Sequence, residues 1–179
     1  MIKVLKSYRY LNDCVIKPVL DKVKFPKDEI NIVGGRKSGK SVSVQLTIGM
    51  LVDIIREKKK CAFFFFRYQT KDANELYDEI IDALELLGVH YVENKTRLII
   101  KVGANQIRVI GLNSQNKTNK AKKSGLARVG GVTHIIRVFE EIFEFPQQDV
   151  LALKEAVRGL EDNVSVLDLQ ICNPWAKSS

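Results

Sequence analysis

At 179 residues, with 45% hydrophobic and 28% charged residues, the chain has material for one compact domain with a core and is too apolar for a disordered tail. Its apolar runs, Ala62 to Phe66 and Leu98 to Ile100, are far below the roughly 18 residues needed to cross a bilayer, and Lys3, Lys6 and Arg9 lead into no apolar signal region, so a cytoplasmic protein with no membrane partner is expected. The net charge of +8 favours polyanions without selecting one, and Cys14, Cys61 and Cys172, odd in number and lacking ligand spacing, are expected as reduced thiols with no metal cage.

Residues 1–27 read as an N-terminal extension, and residues 28–179 as the domain proper. Ile30 to Val33 is a short strand running into Gly34 and Gly35, after which Ser41 to Arg56 reads as a helix. Cys61 to Phe66 is almost wholly apolar and of strand length, which suits a strand buried on both faces of a parallel sheet. From Asp72 the apolar positions Ala73, Leu76, Tyr77, Ile80, Leu84 and Leu87 recur at helical spacing. Asp72 and Glu75 are expected to form a capping box, and Gly88 a stop.

Arg97 to Val102 and Gln106 to Leu112, separated by Gly103, Ala104 and Asn105, suggest a hairpin. Asn113 to Gly131 then breaks all periodicity; it carries Lys117, Lys120, Lys122, Lys123 and Arg128 with no acidic residue, either a solvated loop or one that contacts a polyanion. His134 to Phe139 is a further strand, ending in Glu140 and Glu141. Pro146 opens a helix whose apolar face includes Val150, Leu153 and Val157 and whose end is Gly159. Val164 to Ile171 is the last strand, followed by Cys172, Asn173, Pro174 and Trp175. Strands alternating with helices predict an α/β fold whose sheet is mostly parallel and flanked by helices.

Gly34, Gly35, Arg36, Lys37, Ser38, Gly39, Lys40 and Ser41 satisfy G-x-x-x-x-G-K-[ST] between a strand and a helix, the P-loop that binds a nucleoside triphosphate such as ATP with Mg2+. Glycines let the backbone wrap phosphates, so that amide N–H groups and the helix N-terminus meet their charge. Lys40 would reach the β- and γ-phosphates, and Ser41 would give its hydroxyl to magnesium. Glu140 and Glu141, ending an apolar strand, supply a carboxylate for the metal and a second to orient and deprotonate water, which favours hydrolysis over transfer to a small acceptor. Arg137 interrupts that strand and must either snorkel to an edge or find a partner.

With these residues in view, the chain resembles the ATPase domain of a phage large terminase, the motor that drives double-stranded DNA into a procapsid. The likeness is ordered: Gly34 to Ser41 against G-G-R-x-S-G-K-S, Phe66 and Arg67 on the next strand, Ile107 to Leu112 ending in Gly-Leu, and Val138 to Phe145 as Walker B. Val157 to Gly159 follows as the "L-R-G" stretch, and Cys172 to Pro174 stands where the coupling motif falls. The resemblance implies a RecA-like P-loop NTPase of the additional-strand type, with a catalytic Glu and an extra strand between the P-loop and Walker B strands. It implies Glu140 on magnesium, Glu141 as catalytic base, Asn173 as γ-phosphate sensor, and Arg36 as a group sensing or stabilising the γ-phosphate. Arg158 is a finger candidate, equally readable as a solvated arginine at a helix end.

By the same resemblance the partners are double-stranded DNA, a portal protein and a small terminase subunit, with a homo-oligomeric ring in the assembled motor and a monomer in isolation. Full terminases continue into a nuclease domain with clustered metal-binding acids; this sequence carries no such cluster, so no DNA cleavage is expected of it. Three other readings stay open: a different DNA translocase or helicase-like ATPase, a small-molecule P-loop kinase with Asn113 to Gly131 as lid, and a remnant that binds nucleotide without turnover.

Overall fold

A computed structural model describes residues 6–35, 37–58, 61–113, 131–156 and 163–173. In chain order they form α1 (Lys6–Leu11), a π-helical turn (Asn12–Ile16), α2 (Lys17–Asp21), β1 (Glu29–Val33), α3 (Lys40–Ile54), β2 (Cys61–Arg67) and α4 (Thr70–Leu86). There follow β3 (Val92–Asn94), β4 (Ile99–Val102), β5 (Asn105–Gly111), β6 (His134–Glu140), a 3-10 turn (Ile142–Glu144), α5 (Gln147–Glu155) and β7 (Ser165–Cys172). Expected residues Arg36, Arg158, Gly159, Pro174, Trp175 and the basic stretch 114–130 lie outside the described residues.

The strands make one seven-stranded sheet in the order β1-β7-β6-β2-β5-β4-β3. β1, β7, β6, β2 and β5 are parallel, whereas β4 pairs antiparallel with β5 and β3 antiparallel with β4. The α/β class and the hairpin therefore stand as expected, and β7 is an extra strand between β1, which leads into the glycine loop, and β6, which ends in Glu140.

The run of phenylalanines in β2 works as an alternating two-faced strand. Phe63 and Phe65 join the core under α3 and α4 with Val44, Ile48, Leu76 and Ile80, while Ala62, Phe64 and Phe66 pack on the opposite face with Phe139, Phe145 and Leu153. Phe66 stacks on Phe139 at 5.1 Å, which aligns β2 with β6 on that face. The N-terminal segment, for which the sequence suggests no elements, is part of the larger core: Leu11, Val15, Ile16, Val19 and Phe25 are all buried in it.

One local expectation is overturned. α4 starts at Thr70 rather than Asp72, its N-cap Gln69 makes no side-chain cap bond, and Asp72 instead sits 3.5 Å from Arg67. The cause is tertiary: the Leu112 amide bonds the carbonyls of Arg67 and Tyr68, and Gly111 lies so close that a Cβ there would stand 2.7 Å from the Thr70 Cα. The end of β5 therefore sets where the helix begins. The expected stop at Gly88 does hold, with φ of 68° in the left-handed region that glycine tolerates.

Arg137 does not snorkel. It is 3% exposed, and its guanidinium grips Asp168 of β7 through Nε at 2.6 Å and Nη2 at 3.0 Å, while Nη1 donates to the Leu153 carbonyl at 2.7 Å. The register pairs Arg137 with Asp168 across adjacent strands, so the ion pair also ties α5 to the sheet.

Candidate nucleotide site

The carboxyl ends of β1, β6 and β7 converge, and in open α/β sheets ligands bind beyond such ends. β1 leads into the glycine loop, β6 ends in Glu140 with Glu141 directly after it, and β7 leads into Asn173. Gly39 caps α3 with φ of 77°, a backbone state that suits glycine, and lets Lys40 start the helix directly at the loop. The helix N-terminus thus opens beside a cavity of about 310 Å³ lined by Lys37, Ser38, Gly39, Lys40, Ser41, Val42, Glu141 and Asn173.

Lys40 is folded over the loop. Its Nζ donates to the carbonyls of Gly34 at 2.8 Å and Gly35 at 2.9 Å, to Ser38 Oγ at 3.3 Å and to Asn173 Oδ1 at 2.8 Å. These neutral oxygens occupy the donors that a phosphate would take, and a charged acceptor would bind them more strongly. Asn173 also donates from Nδ2 to Glu141 Oε1 at 2.7 Å, so a single amide side chain spans Lys40 and Glu141.

Ser41 Oγ donates to Glu140 Oε2 at 2.9 Å. Glu140 is 4% exposed, and its other oxygen, Oε1, is buried without a hydrogen-bond partner. Burial pushes the carboxyl up to about 7; the Ser41 hydroxyl and the Arg67 charge draw it down, and Glu79 and Glu141 add to the rise. Glu141 stands in the left-handed region at φ 54°, ψ 58°, a conformation costing a non-glycine residue roughly 1–2 kcal/mol.

The donor set fits a hard cation. A serine hydroxyl touches a carboxylate that keeps one buried oxygen unused, and Mg2+ takes one or two protein oxygens while phosphates and water complete its octahedron. Among the described residues no group of three or more His, Cys, Asp or Glu could hold a metal ion.

Gly34, Gly35, Lys37, Ser38, Gly39, Lys40, Ser41, Glu140, Glu141 and Asn173 all lie together here. A second cavity, of about 450 Å³, shares Ser41, Val42 and Glu141 with the first and adds Glu140, Arg67, Gln45, Glu79 and other residues of α3 and α4. In the sequence Arg67 stands only as a point of resemblance, and Gln45 and Glu79 carry no motif. A lone arginine closing an otherwise apolar strand is the signal available there.

No protein-family model and no curated protein sequence matches the chain. Solved structures do. The large terminase of a thermophilic bacteriophage aligns with a TM-score of 0.62 and 16% identity over 95% of this chain and 38% of that chain; the same terminase has been solved with ADP and with ATP-gamma-S. The large terminase of bacteriophage HK97 aligns at 0.63 and 12% identity, over 96% of this chain and 33% of that one. The N-terminal domain of the DNA packaging ATPase from bacteriophage phi29 aligns at 0.54 and 17% identity, over 82% and 76% respectively. The chain thus spans well under half the length of the first two terminases. Across nearly its whole length its fold is that of phage packaging ATPase domains, in line with the resemblance drawn from its motifs.

Proposed function

We propose that this chain is a magnesium-dependent ATPase domain that couples ATP hydrolysis to the movement of double-stranded DNA into a procapsid. The observation that carries the reading is the linked set Ser41–Glu140 and Lys40–Asn173–Glu141: Lys40, Ser41, Glu141 and Asn173 line one cavity, and Glu140, bonded to Ser41, lines the adjoining one.

In this reading the Lys40 ammonium leaves the Gly34 and Gly35 carbonyls for the β- and γ-phosphates, and the amides of Gly39 to Ser41 at the start of α3 face the phosphate charge. Arg36, Lys37 and Ser38 complete the loop, with Arg36 sensing or stabilising the γ-phosphate. Ser41 and Glu140 would hold Mg2+, which when bound would neutralise phosphate charge. Glu141 orients the attacking water and accepts its proton as the new P–O bond forms and the bond to the β-phosphate oxygen breaks. Asn173, touching both Lys40 and Glu141, reports the loss of the γ-phosphate to β7, the strand beside both β1 and β6.

The further partners follow from the packing role: duplex DNA, a portal protein, a small terminase subunit and a ring of identical subunits, in the host-cell cytoplasm. The net charge of +8 supports a polyanionic track.

The test is nucleotide turnover by the purified protein with and without DNA. Glu141→Gln should keep ATP binding and lose hydrolysis by roughly 100- to 10,000-fold, while Lys40→Ala should lose binding. Linear duplex DNA should stimulate the wild type more than single strands. Stimulation by single strands alone would overturn packaging, and phosphate transfer to a small acceptor that survives Glu141→Gln would make the protein a kinase.

A further inference from the structure

Among the arginine–aspartate pairs of the described residues, those of Arg137 and Arg67 differ in kind. Arg137 and Asp168 are 4% exposed at both side chains and meet through two nitrogens. Arg67 and Asp72 meet at a single distance of 3.5 Å and are 20% and 23% exposed. Charge-assisted contacts settle near roughly 2.7–2.9 Å when both partners are committed. Arg67 is therefore weakly held by Asp72, although its backbone is fixed by the Leu112 amide bonding its carbonyl at 3.1 Å.

The place of this loosely held cation is the informative part. β2 runs beside β6 with Phe66 opposite Phe139, so Arg67 ends its strand level with Glu140. It lines the cavity that Ser41, Glu140 and Glu141 also line, and no other described residue lining that cavity is a lysine or arginine. Asp72, Glu75, Glu79, Asp82, Glu140 and Glu141 all border the same space. A triphosphate arriving there adds negative charge to a strongly negative wall. Lys40 answers that charge from the P-loop side, and Arg67 is the cation available on the other.

We propose that Arg67 is a phosphate ligand of the nucleotide site, giving up Asp72 for the terminal phosphate when a triphosphate binds. The inference rests on the nucleotide reading above and adds a cation from the same subunit, outside the P-loop, that distinguishes triphosphate from diphosphate. A guanidinium suits the task because its planar fork donates two parallel hydrogen bonds to a phosphate. Asp72 stores the guanidinium close by when that phosphate is absent.

The experiment compares the affinities of ATP-gamma-S and ADP, each with magnesium, for wild type, Arg67→Ala, Arg67→Lys and Asp72→Ala. Arg67→Ala should weaken ATP-gamma-S by roughly 10- to 100-fold, the loss of a hydrogen bond to a charged group, and leave ADP nearly unchanged. Arg67→Lys, which keeps the charge and the stem, should give a smaller loss confined to ATP-gamma-S, and Asp72→Ala should raise the preference for it. Equal weakening of both nucleotides by Arg67→Ala and Arg67→Lys would overturn the proposal and reduce Arg67 to a counter-charge for the acidic wall. A wild type that bound neither nucleotide would overturn the nucleotide reading itself, a different result from either.

Discussion

Arg137 and Glu140 stand three residues apart on β6, both almost fully buried, and the protein treats the two charges in opposite ways. Around Arg137 each guanidinium nitrogen has an acceptor, from Asp168 or from the Leu153 carbonyl. Beyond it Lys154 bonds Glu29 at 2.6 Å and lies 3.9 Å from Asp168, so charges of alternating sign run from β6 to β1. Around Glu140 the bonding is incomplete: one oxygen has Ser41, and the other has no partner. A buried charge with all its bonds made holds elements together, whereas one left short by a single bond is prepared for something that arrives later. The first region is structural, and the second is where ligand chemistry is to be sought.

The largest effect should come from breaking the satisfied region. Asp168→Ala leaves the Arg137 guanidinium buried without a counter-charge, which typically costs about 3–5 kcal/mol, and urea denaturation should show it as an early midpoint. Asp72→Ala, at the partly exposed Arg67 pair, should cost less than about 1 kcal/mol. Similar losses at the two sites would mean that the contrast between the pairs is not energetic, and that Arg67 is less free to exchange Asp72 for a phosphate.

The next effect belongs to Glu140 and depends on pH. In the protein alone its folded value of about 7 lies above the ordinary 4.5. Between those pH values the native state keeps a proton that the unfolded chain has released. Its contribution to stability is therefore complete below about pH 4.5, falls as pH rises towards 7 and stays lost above. The total is up to about 3 kcal/mol, given about 1.4 kcal/mol for each pH unit of displacement. Glu140→Gln removes this slope, so stability curves of wild type and variant against pH should diverge between about pH 4.5 and 7 and run parallel above. Curves parallel over that range as well would show that the protein already neutralises the carboxylate, leaving it no unbalanced charge to offer a cation.

Most of the site was legible because its chemistry is local in sequence: Gly34 to Ser41 are contiguous, and Glu140 and Glu141 close an apolar strand. Asn173 was found only through ordered resemblance, since nothing in its immediate sequence reveals that its amide spans Lys40 and Glu141. Arg67 was not assigned a role, because its place in the cleft depends on β2 lying beside β6, a long-range pairing. The same kind of cause hid the start of α4, which Gly111 and Leu112 dictate from β5. The burial of Leu11, Val15, Ile16 and Val19 was hidden by the π-helical turn at Asn12–Ile16, which shifts the regular helical spacing. β3 has three residues, all exposed, and offers no apolar pattern to read.

The smallest effect separates backbone from side chain at the two neighbouring acids. Glu140 ends a strand in extended backbone, whereas Glu141 is left-handed at φ 54° and ψ 58°. Removing the Glu141 carboxylate takes away the bond that Asn173 donates, whichever residue replaces it. Glycine and alanine at 141 therefore share every loss except the backbone one. Alanine keeps the left-handed penalty and glycine does not. Glu141→Gly should thus be the more stable of the two by about 1 kcal/mol, although glycine also gives the unfolded chain more freedom. At Glu140 the order should reverse, with alanine the more stable by a similar or smaller margin. Urea midpoints of the four variants test this directly. If alanine were the better residue at both positions, Glu141 would not be held in its left-handed state. The turn that aims its carboxylate at Asn173 would then be a rest position that the chain leaves easily.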